Sequence, residues 1–480
     1  MRCCAAEYFL AIMAVEFPRV KTFLIWLAVI GCGVGVFAAL WPRQAVGDAE
    51  RRALAEGRTT IQYWDRHQGH EHDMRLALID EFNRSQNKIY VRALSVGFNS
   101  TMEKLLTAIA GSAPPDLCSM ESTMLAQLSS QGCLMPLEGF MASDPEFARE
   151  NYFPHAWDSV AIDGHVWGIP TTTDVYCLLW NKNAFRVAGL DPERPPRTLD
   201  ELQAYAEKLT IRDGDSLHQV GFLPWQPWDM TAMWGLLFGG RLCDEQGNAV
   251  CGDDPALLKT MEWQQSFAAD PNSANNPPYA MDPEAMSSFT RGLGSYMSAN
   301  NPFYSGKVAM MAEGEWQVTF IPKYAPNLDW GVAPLPTPEG AEPMVMGWPC
   351  VVDCIPQGSR HPGEAWAYIK WFYSSRPGGG PSPASDYCYA IHNICPRKND
   401  VLQERFTSNP KFKVFVDVLF DRKVVSLPSM PLIQFYTDEL ERQREHVVFR
   451  KTTPEAALTE TQQKVNAELE RQRRFVERKS

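Results

Sequence analysis

Residues 59–132 alternate strand and helix patterns three times, and that order constrains the fold more than any other feature of this 480-residue chain. Thr60-Ile61-Gln62-Tyr63-Trp64 reads as a strand. Between Glu71 and Gln86, Met74, Leu78, Ile79 and Phe82 recur at helical spacing. Lys88 to Val96 alternates again as a strand. Ser100-Thr101-Met102-Glu103 is a capping box opening a helix that carries Leu105, Leu106 and Ile109. Pro114-Pro115-Asp116 ends that unit, Leu117 to Met120 is a short strand, and Ser122 can cap a helix reaching Gly132. This succession predicts an α/β fold with a mostly parallel sheet covered by helices. Ligands of such sheets sit at the carboxyl ends of strands. Attention therefore falls on Trp64 and Asp65, on Phe98 and Asn99, and on Met120 and Glu121.

Further along, Val160-Ala161-Ile162 and His165-Val166-Trp167 flank Asp163-Gly164, a pattern for a type I′ hairpin. Ile169-Pro170-Thr171-Thr172-Thr173 leads into a strand at Tyr176–Asn181. Thr198 and Glu201 form a second capping box. The stretches 270–283 and 376–386 are surface loops on composition. The last helix opens at Thr453-Pro454 and carries Ala457, Val465 and Leu469.

At the other end, residues 23–41 read FLIWLAVIGCGVGVFAALW, an uncharged apolar run long enough to cross a bilayer core. Arg19 and Lys21 stand just before it, which favours a cytoplasmic N-terminus over residues 1–22 and export of everything after about residue 42. Residues 42–58 are polar and read as a spacer or short helix. Val29-Ile30-Gly31-Cys32 also fits a bacterial lipobox, with Cys32 the lipidated residue, so anchor, lipoprotein and cleaved signal all stay open. Three of the 12 cysteines, Cys3, Cys4 and Cys32, lie in or before this run, leaving an odd number beyond it. Cys243 and Cys251 flank the turn-rich DEQGNAV and are the expected disulfide. A net charge of −12 argues against nucleic acid as a partner, because phosphates would be repelled.

In combination, the segments resemble the solute-binding proteins of bacterial ABC importers, in the sugar-binding branch that includes maltose-binding protein. The matching stretches are IQYWDRHQG, LIDEFNRSQNKIYV, KLLTAIAGSAPPDLCSMES, LSSQGCLMPLEGF, DGHVWGIPTTTDVYCLLWNKNAF, RTLDELQAYAEKL, GKVAMMAEGEWQV, WGVAPLPTPEG, HPGEAWAYIKWF and PEAALTETQQKVNAEL. Their order covers residues 59–470. The resemblance implies a two-lobed periplasmic-binding-protein type II fold with a hinge between the lobes. Residues 59–169 and 350–405 would form lobe 1, and 170–349 and 406–480 lobe 2. It further implies an extracytoplasmic protein that captures a sugar and hands it to a transporter permease, without turnover and without a cofactor. The same fold binding a polyamine, phosphodiester or metal chelate, or serving as a membrane-anchored sensor, is the alternative.

A sugar needs aromatic faces for its C–H surfaces and carboxylates, amides and cations for its hydroxyls. Trp64 and Asp65 leave the first strand where a ligand would sit, although the pair could equally pack under a turn and cap a helix. Glu121 follows the third strand, and His67 lies between. Trp225 and Trp228 share the proline-restrained loop PWQPWD. Trp316 closes EGEW and matches a stacking aromatic of the family, Trp348 matches the return crossing, and Tyr436 matches a late aromatic contact. Asn99 and Thr173 complete the expected ligand set. His67, His70 and His72 with Asp65 and Asp73 are the one candidate metal cluster, but they lack a recognised ligand spacing, and a hydrogen-bonding role is expected instead. There is no GxSxG, HExxH or P-loop motif to support catalysis.

Overall fold

The computed structural model describes residues 47–477, apart from residues 98, 99, 143, 215 and 229. The chain divides into two compact units, one ending at Glu56 and one starting at Gly57. The described part of the first contains the helix Asp48–Ala55, where a spacer or short helix was expected. The apolar run 23–41 and Cys32 lie outside the described residues. Among the described residues no helix is long and apolar enough to cross a membrane.

In the second unit, β1 (Thr59–Asp65) alternates as its sequence predicts, with Ile61, Tyr63 and Asp65 buried. Its last inward position is an aspartate, which puts a charge at the carboxyl end of the strand. β2 (Ile89–Ser95) runs parallel to it, from Ile89 beside Thr59 to Ser95 beside Asp65. β3 (Leu117–Glu121) lies parallel on the other side and is buried along its whole length, as a strand covered on both faces must be. α1 (Gly69–Ser85) starts two residues before the apolar spacing suggests, because Glu71 and Arg75 share its buried face with Ile79 and Phe82. α2 (Thr101–Ala110) forms where expected, but Ser100 does not cap it: its hydroxyl donates to the Val96 carbonyl at 2.8 Å. The other capping box forms its forward bond, while the Glu201 carboxylate reaches one residue further back, to the Arg197 N–H at 2.8 Å. The Thr198 hydroxyl accepts from the Glu201 N–H at 3.1 Å. The hairpin also holds, with Asp163 and Gly164 at φ 52° and 81° as a type I′ turn requires.

Two long strands unite the sheet. β4 (Ile169–Asn181) is buried at all 13 positions. β5 (Met310–Gly314) and β6 (Trp330–Pro334) flank its second half, and β7 (Met344–Cys354) flanks its first half. At Val351–Cys354, β7 pairs onward with β3, while its other end pairs with β8 (Lys423–Val425). The result is one eight-stranded sheet ordered β6-β4-β7-β3-β1-β2, with β5 on β4 and β8 on β7. Register shifts on either side of Val351 interrupt the pairing of β7 with β4 just where β7 begins to pair with β3.

Beside a large apolar cluster that runs from Leu105 and Met120 to Leu178 and Met311, two smaller ones form. Ile61, Tyr63, Ile79, Phe82 and Val91 meet Tyr368 and Phe372 of α3 (Pro362–Tyr373) and Tyr387 of α4 (Pro383–Ile391). Fully burying side chains of this size contributes roughly 1.5–3 kcal/mol each. A second cluster joins Leu257 and Met261 to Ile433 and Leu440 of α5 (Ile433–Val448) and to Val465 and Leu469 of α6 (Pro454–Glu477).

Inside the first of the two smaller clusters the Arg75 guanidinium is fully buried, 4.1 Å from the Phe372 ring centre and 4.4 Å from that of Tyr387. Asp353 of β7 faces it at 3.4 Å and also accepts the hydroxyls of Tyr63 and Tyr373, each at 2.8 Å. This network ties β1, α1, β7 and α3 together.

Cys243 and Cys251, the expected disulfide pair, are both free thiols. The hairpin between them does form, with Val250 N–H donating to Leu242 and Asp244 N–H to Asn248, each at 3.0 Å. Its register, however, sets Cys243 opposite Ala249. Cys251 falls two residues beyond, and its thiol donates to the Leu458 carbonyl at 3.4 Å.

Candidate functional site

Where β4 and β7 pair in the middle of the sheet, five aromatic rings from five segments meet. Tyr176 of β4 and Trp348 of β7 stand 5.5 Å apart between ring centres. Trp316, one residue before the helix that follows β5, meets Tyr176 at 5.7 Å and 86°. Trp228 meets Trp316 at 6.0 Å and 90°, and Trp348 at 6.4 Å. Tyr296 closes the group, 5.7 Å from Trp228 and 5.9 Å from Trp316. Tyr176 and Trp316 are buried within the group, while Trp228, Trp348 and Tyr296 are half-buried and are the rings that still meet solvent. The Trp316 ring lies on the backbone of Gly314, where a Cβ would come within 2.2 Å of it. That close approach explains the glycine in Glu313-Gly314-Glu315-Trp316.

Acidic groups surround the rings. Glu121, at the end of β3, accepts from Arg66 and from the Trp348 indole N–H, each at 3.3 Å. Burial pushes its carboxyl up, and Arg66 opposes that. Glu71 is also buried and pushed up by desolvation, with His67 and Arg66 acting against it. Asp174 accepts from the Asn393 side chain at 2.7 Å. Glu315 accepts the N–H groups of Val175 and Ile394, at 3.2 and 3.3 Å. Burial and the adjacent Asp174 carboxylate push Glu315 far up, and burial pushes Asp174 up as well. Glu313 is fully buried, and desolvation pushes it up to about 7 although Gly314 and Gln317 donate to it and the Trp228 and Trp316 indoles lie close by.

Asp65 behaves differently. Burial alone would raise its carboxyl, but His67 Nδ1 at 3.0 Å and His72 Nδ1 at 2.7 Å hold it well below the usual carboxylate range. Both imidazoles are thus committed to one carboxylate. No group of three or more His, Cys, Asp or Glu side chains suited to a metal ion occurs among the described residues.

The structure brings Trp228, Trp316, Trp348 and Glu121 together, and sets His67 and Asp65 beside them through Arg66 and Glu71. Other expected residues fall elsewhere. Trp64 points away from Asp65 and packs against the largest apolar cluster. Thr173 is fully buried, with its hydroxyl 2.6 Å from His155 Nε2. Trp225 is buried beneath the Arg444 guanidinium, 5.2 Å from the ring centre. Tyr436 is fully buried among the C-terminal helices, donating to the Leu242 carbonyl at 2.9 Å. Asn99 lies outside the described residues. Arg66, Glu71, Asp174, Tyr176 and Tyr296 escaped the sequence reading. Arg66 alone carried a usable signal, since it follows the carboxyl end of β1 directly.

The family model for bacterial extracellular solute-binding proteins matches residues 73–378. The chain belongs to that family. Relatives include a putative binding protein of Brucella abortus, 23% identical over 385 residues, covering 78% of this chain and 85% of that one. The sn-glycerol-3-phosphate-binding periplasmic protein of Escherichia coli is 25% identical over 292 residues, 59% of this chain and 62% of that protein. Among solved structures, CpMnBP1 with mannotriose bound is 28% identical with a TM-score of 0.75, matching 85% of this chain and 100% of that one. The sugar-binding protein MalE of Xanthomonas citri, 22% identical, shares the fold at a TM-score of 0.70, over 87% of this chain and 99% of that one.

Proposed function

We propose that this family member captures a sugar or oligosaccharide between two lobes outside the cytoplasm, closes on it by a hinge, and delivers it to an ABC importer without chemical turnover. In this reading residues 59–169 and 350–405 form one lobe, residues 170–349 and 406–480 the other, and β4 and β7 serve as crossings. Trp228, Trp316, Trp348, Glu121 and His67 are its proposed ligand contacts, joined by Tyr176, Tyr296, Arg66 and Glu71. Residues 23–41 tether the protein to the membrane.

The observation that carries the ligand class is the ring group itself, Trp228, Trp316, Trp348, Tyr176 and Tyr296, ringed by carboxyl groups. Ring faces suit pyranose C–H surfaces, and carboxylates suit hydroxyl donors. Charge separates the candidates that the relatives' names raise. Glu71, Glu121 and Asp174 face Arg66 as the nearby guanidinium, and Arg66 is already bound to Glu121, an arrangement that suits the hydroxyls of a neutral polyol better than a phosphate ester. Mannobiose and mannotriose are therefore better first probes than sn-glycerol-3-phosphate.

The test is native mass spectrometry of the purified full-length protein for a co-purified ligand, then tryptophan fluorescence with a sugar panel. Saturable change with a mannose oligomer, no response to sn-glycerol-3-phosphate and no turnover is the expected result. Turnover, or a response to a phosphate ester alone, refutes the reading.

A further inference from the structure

Glu313 differs from the other acids of the site in what surrounds it. Its Oε2 accepts the Gly314 N–H and its Oε1 accepts Gln317 Nε2, both at 2.8 Å. Gln317 is itself oriented by Tyr304, whose hydroxyl donates to Gln317 Oε1 at 2.5 Å and so leaves the amide nitrogen toward Glu313. The indole N–H groups of Trp228 and Trp316 also face this carboxyl. Both are buried, and neither closes a well-formed hydrogen bond, with Glu313 or with any other group. The two indoles arrive on separate segments and meet at 90°. One carboxyl therefore holds two N–H donors and has two unpaired indole N–H groups turned toward it, from two segments of the chain.

We propose that Glu313 is a positioning residue that sets the angle between the Trp228 and Trp316 rings, and that ligand capture is coupled to the ionisation of its carboxyl group. The inference rests on the assignment of these rings to the sugar site. A carboxylate offers about four lone-pair sites, enough for all four donors. Protonation turns one oxygen into a donor facing other donors, which loosens the hold on the rings.

The neighbouring titratable groups do not replace that charge. Tyr176 from β4, and Tyr296 and Tyr304 from the segment before β5, face Glu313, and Glu315 lies two residues along its own chain. Beyond Tyr296 stand Glu71, Arg66 and Asp174. Of these, Arg66 is the cation, and it is bound to Glu121. Desolvation leaves Glu313 titrating at about 7, so both its forms are populated near neutrality.

Full-length wild-type protein and Glu313→Gln are compared from about pH 5.5 to pH 8.5, first without sugar and then with mannotriose. Without sugar, wild-type tryptophan emission shifts with one titration near neutrality, and that titration is missing from Glu313→Gln. With sugar, wild-type affinity falls below neutrality by up to roughly tenfold per pH unit, as one linked proton allows. The amide variant is flat with pH and roughly tenfold weaker near pH 8, having lost the charge-assisted bonds. It melts no lower than wild type there, since it buries no charge. An emission titration that survives in Glu313→Gln, or equal affinities with equal pH slopes, overturns the proposal. Failure of every sugar to bind a folded wild type instead refutes the sugar site, and the sugar-free titration still decides the role of Glu313.

Discussion

Gly314→Ala tests the placement of the stacking ring with a single methyl group. The added Cβ would lie 2.2, 2.3 and 2.6 Å from three carbons of the Trp316 ring. Restoring ordinary contact at 3.4 Å moves that ring by about 1.2 Å. It has nowhere to go, because Tyr176, Trp228 and Tyr296 already crowd it with centres within 6.0 Å. Overpacking of this kind costs roughly 1–3 kcal/mol, and a displacement near 1 Å at a recognition surface weakens binding further. Gly331→Ala is the matched control. Its Cβ would come within 2.1 Å of the Trp180 ring, whose ring neighbour is Phe185 rather than a member of the five-ring group. Thermal melts and mannotriose titrations of both variants are the assay. Both should lose stability by about the same amount, with only Gly314→Ala losing affinity, by roughly tenfold or more. If the two lose affinity equally, or Gly314→Ala binds like wild type, Trp316 is not a ligand-facing ring.

Asp353→Ala should cost about 3–5 kcal/mol in chemical denaturation, because it strands the buried Arg75 guanidinium and two tyrosine hydroxyls. Adding Arg75→Met should recover part of that loss; no recovery would show that the charge is not the cause. Burial lowers His155 from 6.5 to about 4. Between those values the unfolded chain takes up a proton that the folded one does not, so stability falls as pH drops through that window. His155→Gln should flatten this acid limb in melts at stepped pH. An unchanged limb would place the acid sensitivity elsewhere.

The architecture was legible because alternation survives local exceptions. Ile61 and Tyr63 mark β1, and Ile79 and Phe82 mark α1, whatever stands between them. The site was legible where an aromatic followed a strand or sat in a proline-restrained loop, as at Trp316 and Trp228. It was illegible where a charge faced inward. Glu71 and Arg75 occupy the buried face of α1, and a rule that assigns charges to solvent reads that face as apolar residues only. Asp174 and Tyr176 sit in a strand buried at every position, so no alternation singles them out. Tyr296 lies in an irregular segment, and its partners come from residues far away in the chain. Ser100 shows the converse, since its capping box is intact in sequence while its hydroxyl goes to Val96. Tyr436 shows that a loosely matched aromatic at a family position is easily a core residue.

The long strand β7 has a consequence for how such a chain is made. β1, β2 and β3 occupy residues 59–121, yet β3 gains its second neighbour only when Val351–Cys354 arrives. Asp353, which satisfies Arg75 and Tyr63, comes 290 residues after that tyrosine. Closing so wide a loop is slow, and until it closes the first strands carry an unpaired edge and a buried cation without its partner. The early part of the chain therefore lacks a strand neighbour and a buried acid until that segment is made. A polypeptide that cannot finish its first half until most of its length has emerged stays threadable. For a member of an extracellular family, that delay keeps it fit for passage through a membrane before it locks.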